Sequence, residues 1–184
     1  MPELAVYTRS EDLEPKIERE IRALLDSEWL GSSQEPVSGA LIDHSLHPVY
    51  FVLTDGDRVL GYARTIWVWV AHLGCTFKLY GLGDVITAPQ WRRMGYGTRL
   101  VEAASAYIRS DAEADAGLLL TEPRLEALFG RTGWTHVSGL DVVTDDRDES
   151  SAEVFPMMMF LSAAARAASV DFTQRPLVLP GEEW

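Results

Sequence analysis

The sequence predicts an α/β (α+β) fold in which helices flank a central mixed sheet. Three observations predict this class. An amphipathic helix pattern near the start is followed by β-rich segments that a hairpin turn joins. A further strand leads through a glycine-bearing turn into a second helix. After that helix comes a short run that is apolar at every position, which is typical of a strand buried on both faces. This order of elements favours one domain built around a mixed sheet.

The start of the chain supplies a strand, a helix and a loop. Leu4–Tyr7 is predicted as a short strand. Ser10 and Asp12 can cap a helix whose apolar side chains recur at helical spacing. Those side chains belong to Leu13, Ile17, Ile21, Leu24 and Leu25. Gly31–Gly39 is rich in Ser, Gly and Pro, so we predict a loop there.

A meander of three strands follows. Val49–Leu53 and Val59–Val70 flank Asp55-Gly56, a dipeptide that is typical of hairpin turns. A third strand is predicted over Phe77–Thr87 and ends at Pro89, because proline cannot donate to a strand ladder.

The second half of the chain alternates helices and strands. Gly95–Ile108 keeps a helical period, and Gly117–Leu120 is the uniformly apolar run. Pro123 suits the first turn of a short helix that reaches Phe129. The remaining predictions are extended structure over Trp134–Val137, an exposed loop over Asp145–Ser151, a last strand over Val154–Leu161 and an unassigned tail to Trp184.

Length and composition narrow the class of protein. The 184 residues predict one domain over residues 1–184. The single cysteine, Cys75, excludes an internal disulfide framework, favours a reducing compartment and is expected to be a small buried residue. We see no secretory signal pattern and no apolar stretch of membrane-spanning length, so a cytoplasmic protein is expected.

The charge balance bears on partners. A formal net charge of −12 repels nucleic acid and anionic membranes, so neither is an expected partner. The same field attracts cationic ligands. His44 and His47 lie close together without a Cys or Glu pattern around them, so no metal site is predicted.

The segment from Asp84 to Leu100 carries the chemistry. A predicted strand delivers a turn that holds Gly95 and Gly97 and opens a helix. Glycines let backbone N–H groups approach a ligand closely. The first N–H groups of a helix lack internal partners and carry partial positive charge, so the turn suits a pyrophosphate. Three arginines add local positive charge to a strongly negative chain: Arg92, Arg93 and Arg99.

Two common phosphate loops do not fit this segment. Gly-x-Gly-x-x-Gly is absent because Leu100 stands at the third glycine position, and there is no Gly-Lys-Ser/Thr. The pattern Arg92-x-x-Gly95-x-Gly97, preceded by a strand and a proline, resembles the acyl-CoA loop of the GNAT N-acetyltransferase superfamily. The resemblance extends through the apolar strand at Leu118–Leu120 and a Gly133-Trp134 turn, and it covers roughly residues 49–140.

The resemblance implies an acetyl-CoA-dependent N-acetyltransferase with a splayed central sheet and no metal. In this family the strand before the loop pairs with pantetheine through its main chain, which here implicates Val85, Ile86 and Thr87. The loop backbone supplies the pyrophosphate donors. By position these are Arg92, Arg93, Met94, Gly95, Tyr96, Gly97 and Thr98.

Acyl transfer also needs a base for the amine and benefits from an acid for the leaving thiolate. Asp84 lies next to the family's base position, which is Gly83 here. Asp84 is therefore a candidate base or amine-orienting group, and its alternatives are a partner for a nearby arginine or a surface charge. Phe129 stands where many relatives carry a tyrosine acid. The thiolate then leaves unaided or is protonated by another donor, such as water or Tyr80.

The end of the chain points to a substrate class. Pro180-Gly181-Glu182-Glu183-Trp184 resembles the ending of the aminoglycoside 2′-N-acetyltransferases, in which acidic groups line a pocket for polycations. By that resemblance Glu182 and Trp184 are pocket residues, and the antibiotic could equally be an atypical one such as kasugamycin. Further acidic candidates for the pocket are Asp26, Glu28, Glu35, Asp43, Asp84 and Glu122.

Three functions remain open at this stage. The first is acetylation of an aminoglycoside, a cationic amino sugar, which would confer antibiotic resistance. The second is acetylation of another amine, such as a polyamine, an amino acid or a protein N-terminus. The third is a non-catalytic acyl-CoA-binding or regulatory domain, which the missing tyrosine at Phe129 keeps open. A homodimer would also be in keeping with the family.

Overall fold

The computed structural model describes residues 1–29, 44–143 and 154–180. It confirms the predicted fold class, an α/β domain with a mixed seven-stranded sheet and flanking helices. The strands are β1 Glu3–Tyr7, β2 Val49–Asp55, β3 Arg58–His72, β4 Cys75–Thr87, β5 Ala116–Thr121, β6 Thr135–His136, β7 Val142–Val143, β8 Phe155–Phe160 and β9 Leu177–Val178. The helices are α1 Pro15–Trp29, α2 Tyr96–Ser110, α3 Glu126–Gly130 and α4 Ala163–Ala168.

The main sheet has the strand order β1-β2-β3-β4-β5-β8-β6. β1 pairs antiparallel with β2, and β2 pairs antiparallel with β3, so the first two strands of the predicted meander pair as expected. β4 and β5 run parallel, with α2 between them in sequence. Among the described residues, the β4–β5 register covers Leu79–Gly81 opposite Ala116–Leu118. β4 continues beyond that register to Thr87. β7 and β9 form a separate parallel pair.

The chain divides into two compact units, and the first comprises Met1–Ile66 with Asp84–Ala104. In this unit, the apolar stripe of α1 packs on one face of the meander, against Tyr50 and Tyr62 among others. Leu100 of α2 lies near Gly61 of β3, where an added Cβ would come within 2.9 Å of the Leu100 side chain. The predicted helix spacing of the first helix therefore did identify its buried face.

The second unit comprises Trp67–Gly83 with Ser105–Trp184. Its largest fully buried side chain among the described residues is Trp134, which is 1% exposed and donates from Nε1 to Ser105 Oγ at 2.9 Å. The indole lies over Gly117 of β5, where an added Cβ would stand 2.7 Å from Trp134 Cη2. The Gly133-Trp134 turn of the predicted motif is therefore a packing element of this unit.

Several expectations need correction or fall outside the described residues. Cys75 is exposed, because it follows the turn between β3 and β4 rather than facing the core. The unassigned tail contains α4 and β9. The predicted loops at Gly31–Gly39 and Asp145–Ser151, and the candidates Glu35, Asp43, Glu182 and Trp184, lie outside the described residues. Within the described ranges, none of the helices has the length and apolar character needed to cross a membrane. The boundaries of a single domain over residues 1–184 stay a prediction.

Candidate acyl-CoA site

The end of β4 is held firmly where the glycine turn begins. The N–H of Ala88 donates to the carbonyl oxygen of Leu60 on β3 at 3.0 Å. The carbonyl oxygen of Thr87, in the same peptide group, accepts from Arg92 Nε at 3.1 Å. Both polar atoms of this peptide are therefore bonded, one to the neighbouring strand and one to the loop that follows.

Two residues of the loop have a left-handed backbone conformation. Arg93 and Gly95 have φ angles of +64° and +83°, in the left-handed region that favours glycine. The first helical hydrogen bond runs from the N–H of Arg99 to the carbonyl of Gly95 at 3.1 Å. The N–H groups of residues 96–98 precede that bond, so the start of α2 presents them outward.

Space is left at this turn for a ligand to approach the main chain. An ideal Cβ built on Gly95 meets nothing within 4 Å, and one built on Gly97 meets only Thr87 Oγ1 at 3.5 Å. A side chain at either position would fill that space. The turn therefore fits a diphosphate that is bound by backbone N–H groups.

Arg92 makes protein contacts through both its backbone and its side chain. Its backbone N–H donates to Pro89 O at 3.4 Å, so this N–H is not among those presented at the turn. Its side chain is also engaged, since Nη2 lies 2.6 Å from Glu28 Oε2 and Nε bonds Thr87 O. Arg93 and Met94 are exposed, and Tyr96, Gly97 and Thr98 are partly exposed at the helix start.

Asp84 lies in β4 with a φ of +51°, which locally distorts the strand. Its Oδ2 is bonded to Arg64 Nε on β3, and both side chains are largely buried, at 18% and 11% exposure. Burial, followed by the nearby Asp84 charge, raises the pKa of the Tyr62 hydroxyl well above its usual range. The carboxylate thus has the arginine partner that sequence reasoning kept as its alternative, although that reasoning could not name Arg64.

Other predicted residues are placed as follows. Glu122 accepts from Arg124 Nε at 2.5 Å, and this bond lowers the pKa of the Glu122 carboxyl. Asp26 is partly buried on α1. Phe129 is 5% exposed in α3. The Tyr80 hydroxyl donates to an aspartate, Asp111, at 2.8 Å, so its proton is already engaged.

Sequence reasoning missed one charged cluster. Lys78 is 8% exposed and lies 2.7 Å from Asp111 Oδ2, with its ammonium 4.2 Å from the centre of the Trp67 ring. A lysine in the middle of an apolar strand pattern was the available signal, since lysine is rarely buried without a partner. The described residues contain no group of three His, Cys, Asp or Glu side chains that could hold a metal ion.

The sequence profile of the acetyltransferase (GNAT) family matches residues 18–133. The chain belongs to the GNAT acetyltransferase family. The match includes β4, the glycine turn and α2, which confirms the acyltransferase class predicted from the loop. Members of this family use acetyl-CoA or CoA. A comparison with curated proteins returned no match.

Solved structures share the GNAT fold. An acyl-CoA N-acyltransferase from Pseudomonas aeruginosa aligns with a TM-score of 0.63 and 19% identity over 86% of this chain and 99% of its own. YhbS from Escherichia coli, solved in complex with CoA, aligns with a TM-score of 0.61 and 19% identity over 98% of this chain and 89% of its own. Escherichia coli ElaA aligns with a TM-score of 0.63 and 13% identity over 86% of this chain and 99% of its own. At these identities the likeness is one of fold.

Proposed function

We propose that the protein is an acetyl-CoA-dependent N-acetyltransferase that acetylates an amino group of an aminoglycoside, and so confers resistance to it. The carrying observation is the turn at Gly95 and Gly97, which combines outward N–H groups with open space where a side chain would stand. The family supplies the reaction class, and the charge of the chain supports a cationic acceptor.

The chain's own residues divide the handling of acetyl-CoA between a strand and a loop. The main chain of Val85, Ile86 and Thr87 would pair with the pantetheine arm. The N–H groups of residues 93–98 would bind the diphosphate, with the helix N-terminus adding partial positive charge. Acetyl-CoA supplies an activated thioester, and these contacts fix its position against the amine.

Asp84 is the proposed amine-orienting group. Asp84 accepts a hydrogen bond from Arg64, and a carboxylate has further lone pairs that would accept a hydrogen bond from the amine of the acceptor. With phenylalanine at position 129, the chain offers no proton there for the departing thiolate. Unassisted departure is tolerable because the pKa of a free thiol is about 8.5.

The negative net charge of the protein is the reason for proposing a cationic acceptor. A net charge of −12 draws polyamines and amino sugars toward the protein. The pocket residues proposed from the family resemblance are Glu182 and Trp184, whose chain-terminal group is a carboxylate. Asp26, Glu28 and Glu122 are the further acidic candidates for the pocket. The 2′-amino group of a deoxystreptamine antibiotic and the amine of kasugamycin are the acceptors to test first. A cytoplasmic location and a homodimer remain part of this proposal.

Two measurements test the proposed function. Titration of CoA into the purified protein is expected to show saturable binding. Release of free thiol from acetyl-CoA is then followed with a panel of aminoglycosides, polyamines, amino acids and N-terminal peptides. Turnover with an aminoglycoside alone supports the proposal. If only another amine is turned over, that amine replaces the aminoglycoside as the proposed acceptor. CoA binding without turnover of any amine indicates an acyl-CoA-binding domain.

A further inference from the structure

Glu28 and Arg92 form a connected set of contacts at the beginning of the glycine turn. Glu28 lies near the end of α1, and its Oε2 accepts from Arg92 Nη2 at 2.6 Å. Arg92 Nε donates to the carbonyl oxygen of Thr87 at 3.1 Å. One guanidinium therefore bonds a carboxylate on a helix and the last carbonyl of β4 at the same time.

The contacts continue into the sheet. The peptide that carries the Thr87 carbonyl also carries the Ala88 N–H, which donates to Leu60 O at 3.0 Å. Thr87 Oγ1 is in turn the nearest atom to a Cβ built on Gly97. The orientation of this one peptide thus fixes where the strand ends relative to the turn, and Arg92 holds it from the loop side.

We infer that Glu28 is a positioning residue for acyl-CoA binding, which acts by holding Arg92 on the Thr87 carbonyl. This inference rests on the proposed function and reassigns one residue within it, Glu28. Glu28 is then not an acceptor-binding carboxylate, and the Arg92 side chain positions the loop instead of binding the diphosphate.

The shape of arginine supports this assignment over a simple charge effect. A guanidinium offers donors in a fixed planar fork, so two acceptors at different angles can be bonded together. Lysine has the same charge but no fork. The pair is half exposed, at 47% and 40%, so its contribution to stability is small and its effect should appear in binding.

The test separates the two substrates kinetically. In Glu28→Gln, the KM for acetyl-CoA and the Kd for CoA are expected to rise about three- to fivefold, as for loss of an exposed ion pair. The KM for the amine and kcat are expected to stay unchanged. Arg92→Lys should weaken CoA binding at least as much, because lysine retains the positive charge but lacks the planar set of donors. A variant that carries both Glu28→Gln and Arg92→Lys should bind CoA no more weakly than Arg92→Lys alone.

Glu18→Gln is the matched control. Glu18 lies on the same helix and also accepts from an arginine at 2.8 Å, but that arginine is Arg22, on the helix itself, and not a residue of the turn. A raised amine KM with an unchanged acetyl-CoA KM in Glu28→Gln would overturn the inference, and so would CoA affinity equal to that of Glu18→Gln. Arg92→Lys with wild-type affinity would do the same. Failure of the wild-type protein to bind CoA would instead refute the proposed function.

Discussion

Two charged clusters of this protein are built in opposite ways. Arg92 and Glu28 pair at a half-exposed position beside the glycine turn. Lys78 and Asp111 pair at 8% and 21% exposure, and the Tyr80 hydroxyl donates to the same carboxylate. The first cluster contacts the strand that precedes its loop through a backbone carbonyl, the Thr87 oxygen. The second cluster joins side chains of β4 to Asp111, the residue that follows α2.

The difference separates a binding element from a structural one. Removing one partner of a buried pair leaves an uncompensated charge, so the Lys78 cluster should matter for folding. An exposed pair adds little to stability, so the Arg92 cluster can change with little effect on the fold. The proposed diphosphate site would rely on backbone N–H groups, which no side-chain substitution removes directly.

The largest expected effect on stability is at the buried cluster. Asp111→Asn leaves the Lys78 ammonium without its nearest counter-charge and should lower the free energy of unfolding by about 2–4 kcal/mol. Urea denaturation followed by fluorescence measures it. Glu113→Gln is the control, because Glu113 is 74% exposed and 3.4 Å from Lys78 Nζ, and it should cost at most about 1 kcal/mol. Equal losses in both variants would mean that burial does not distinguish these two contacts.

A second prediction concerns the glycine under Trp134. Gly117→Ala should destabilise the protein by about 1–3 kcal/mol, because the new methyl group overlaps an indole that Ser105 holds in place. Gly130→Ala is the matched control. A Cβ there meets nothing within 4 Å and lies in a helix, so this variant should be neutral or slightly stabilised. A neutral Gly117→Ala would show that the Trp134 packing can relax.

The pH dependence of stability should also distinguish the buried cluster. Burial alone would raise the pKa of Asp111, but the hydrogen bond and charge of Lys78, with further hydrogen bonds, lower it below 3.8. A depressed carboxyl pKa contributes stability above the unfolded value, and that contribution is lost as the pH falls through the folded value. The difference in free energy of unfolding between the wild type and Asp111→Asn should therefore shrink below about pH 4. A stability difference that stays constant from pH 7 to pH 3 would contradict this.

Much of the fold could be predicted from the sequence because its signals are local. The helical spacing of Ile17 to Leu25, the Asp55-Gly56 turn and the uniformly apolar strand before Pro123 each correspond to an observed element. Leu13, the first residue of the predicted spacing, is buried but precedes α1. The glycine turn could be predicted for the same reason, since Gly95 does adopt a positive φ.

The pairings around the site could not be predicted. Glu28 and Arg92, or Arg64 and Asp84, are far apart in sequence and meet only through the fold. No local pattern shows whether a carboxylate will face a substrate or an arginine. Arg92 was predicted as a backbone donor to the pyrophosphate from its position in the family's loop pattern, which carries no information on its contacts with Glu28 and Thr87.

The central claim is that the turn at Gly95 and Gly97 binds acyl-CoA through its backbone, and Gly97→Val tests it most directly. Gly97 is a cleaner choice than Gly95, whose φ of +83° would strain any side chain. The new side chain has room in the protein, since the nearest atom to its Cβ is 3.5 Å away, so the free energy of unfolding should change by less than about 1 kcal/mol. Calorimetric titration of CoA should show affinity at least about tenfold weaker than that of the wild type, about 1.4 kcal/mol. A folded Gly97→Val protein that binds CoA as tightly as the wild type would contradict the claim.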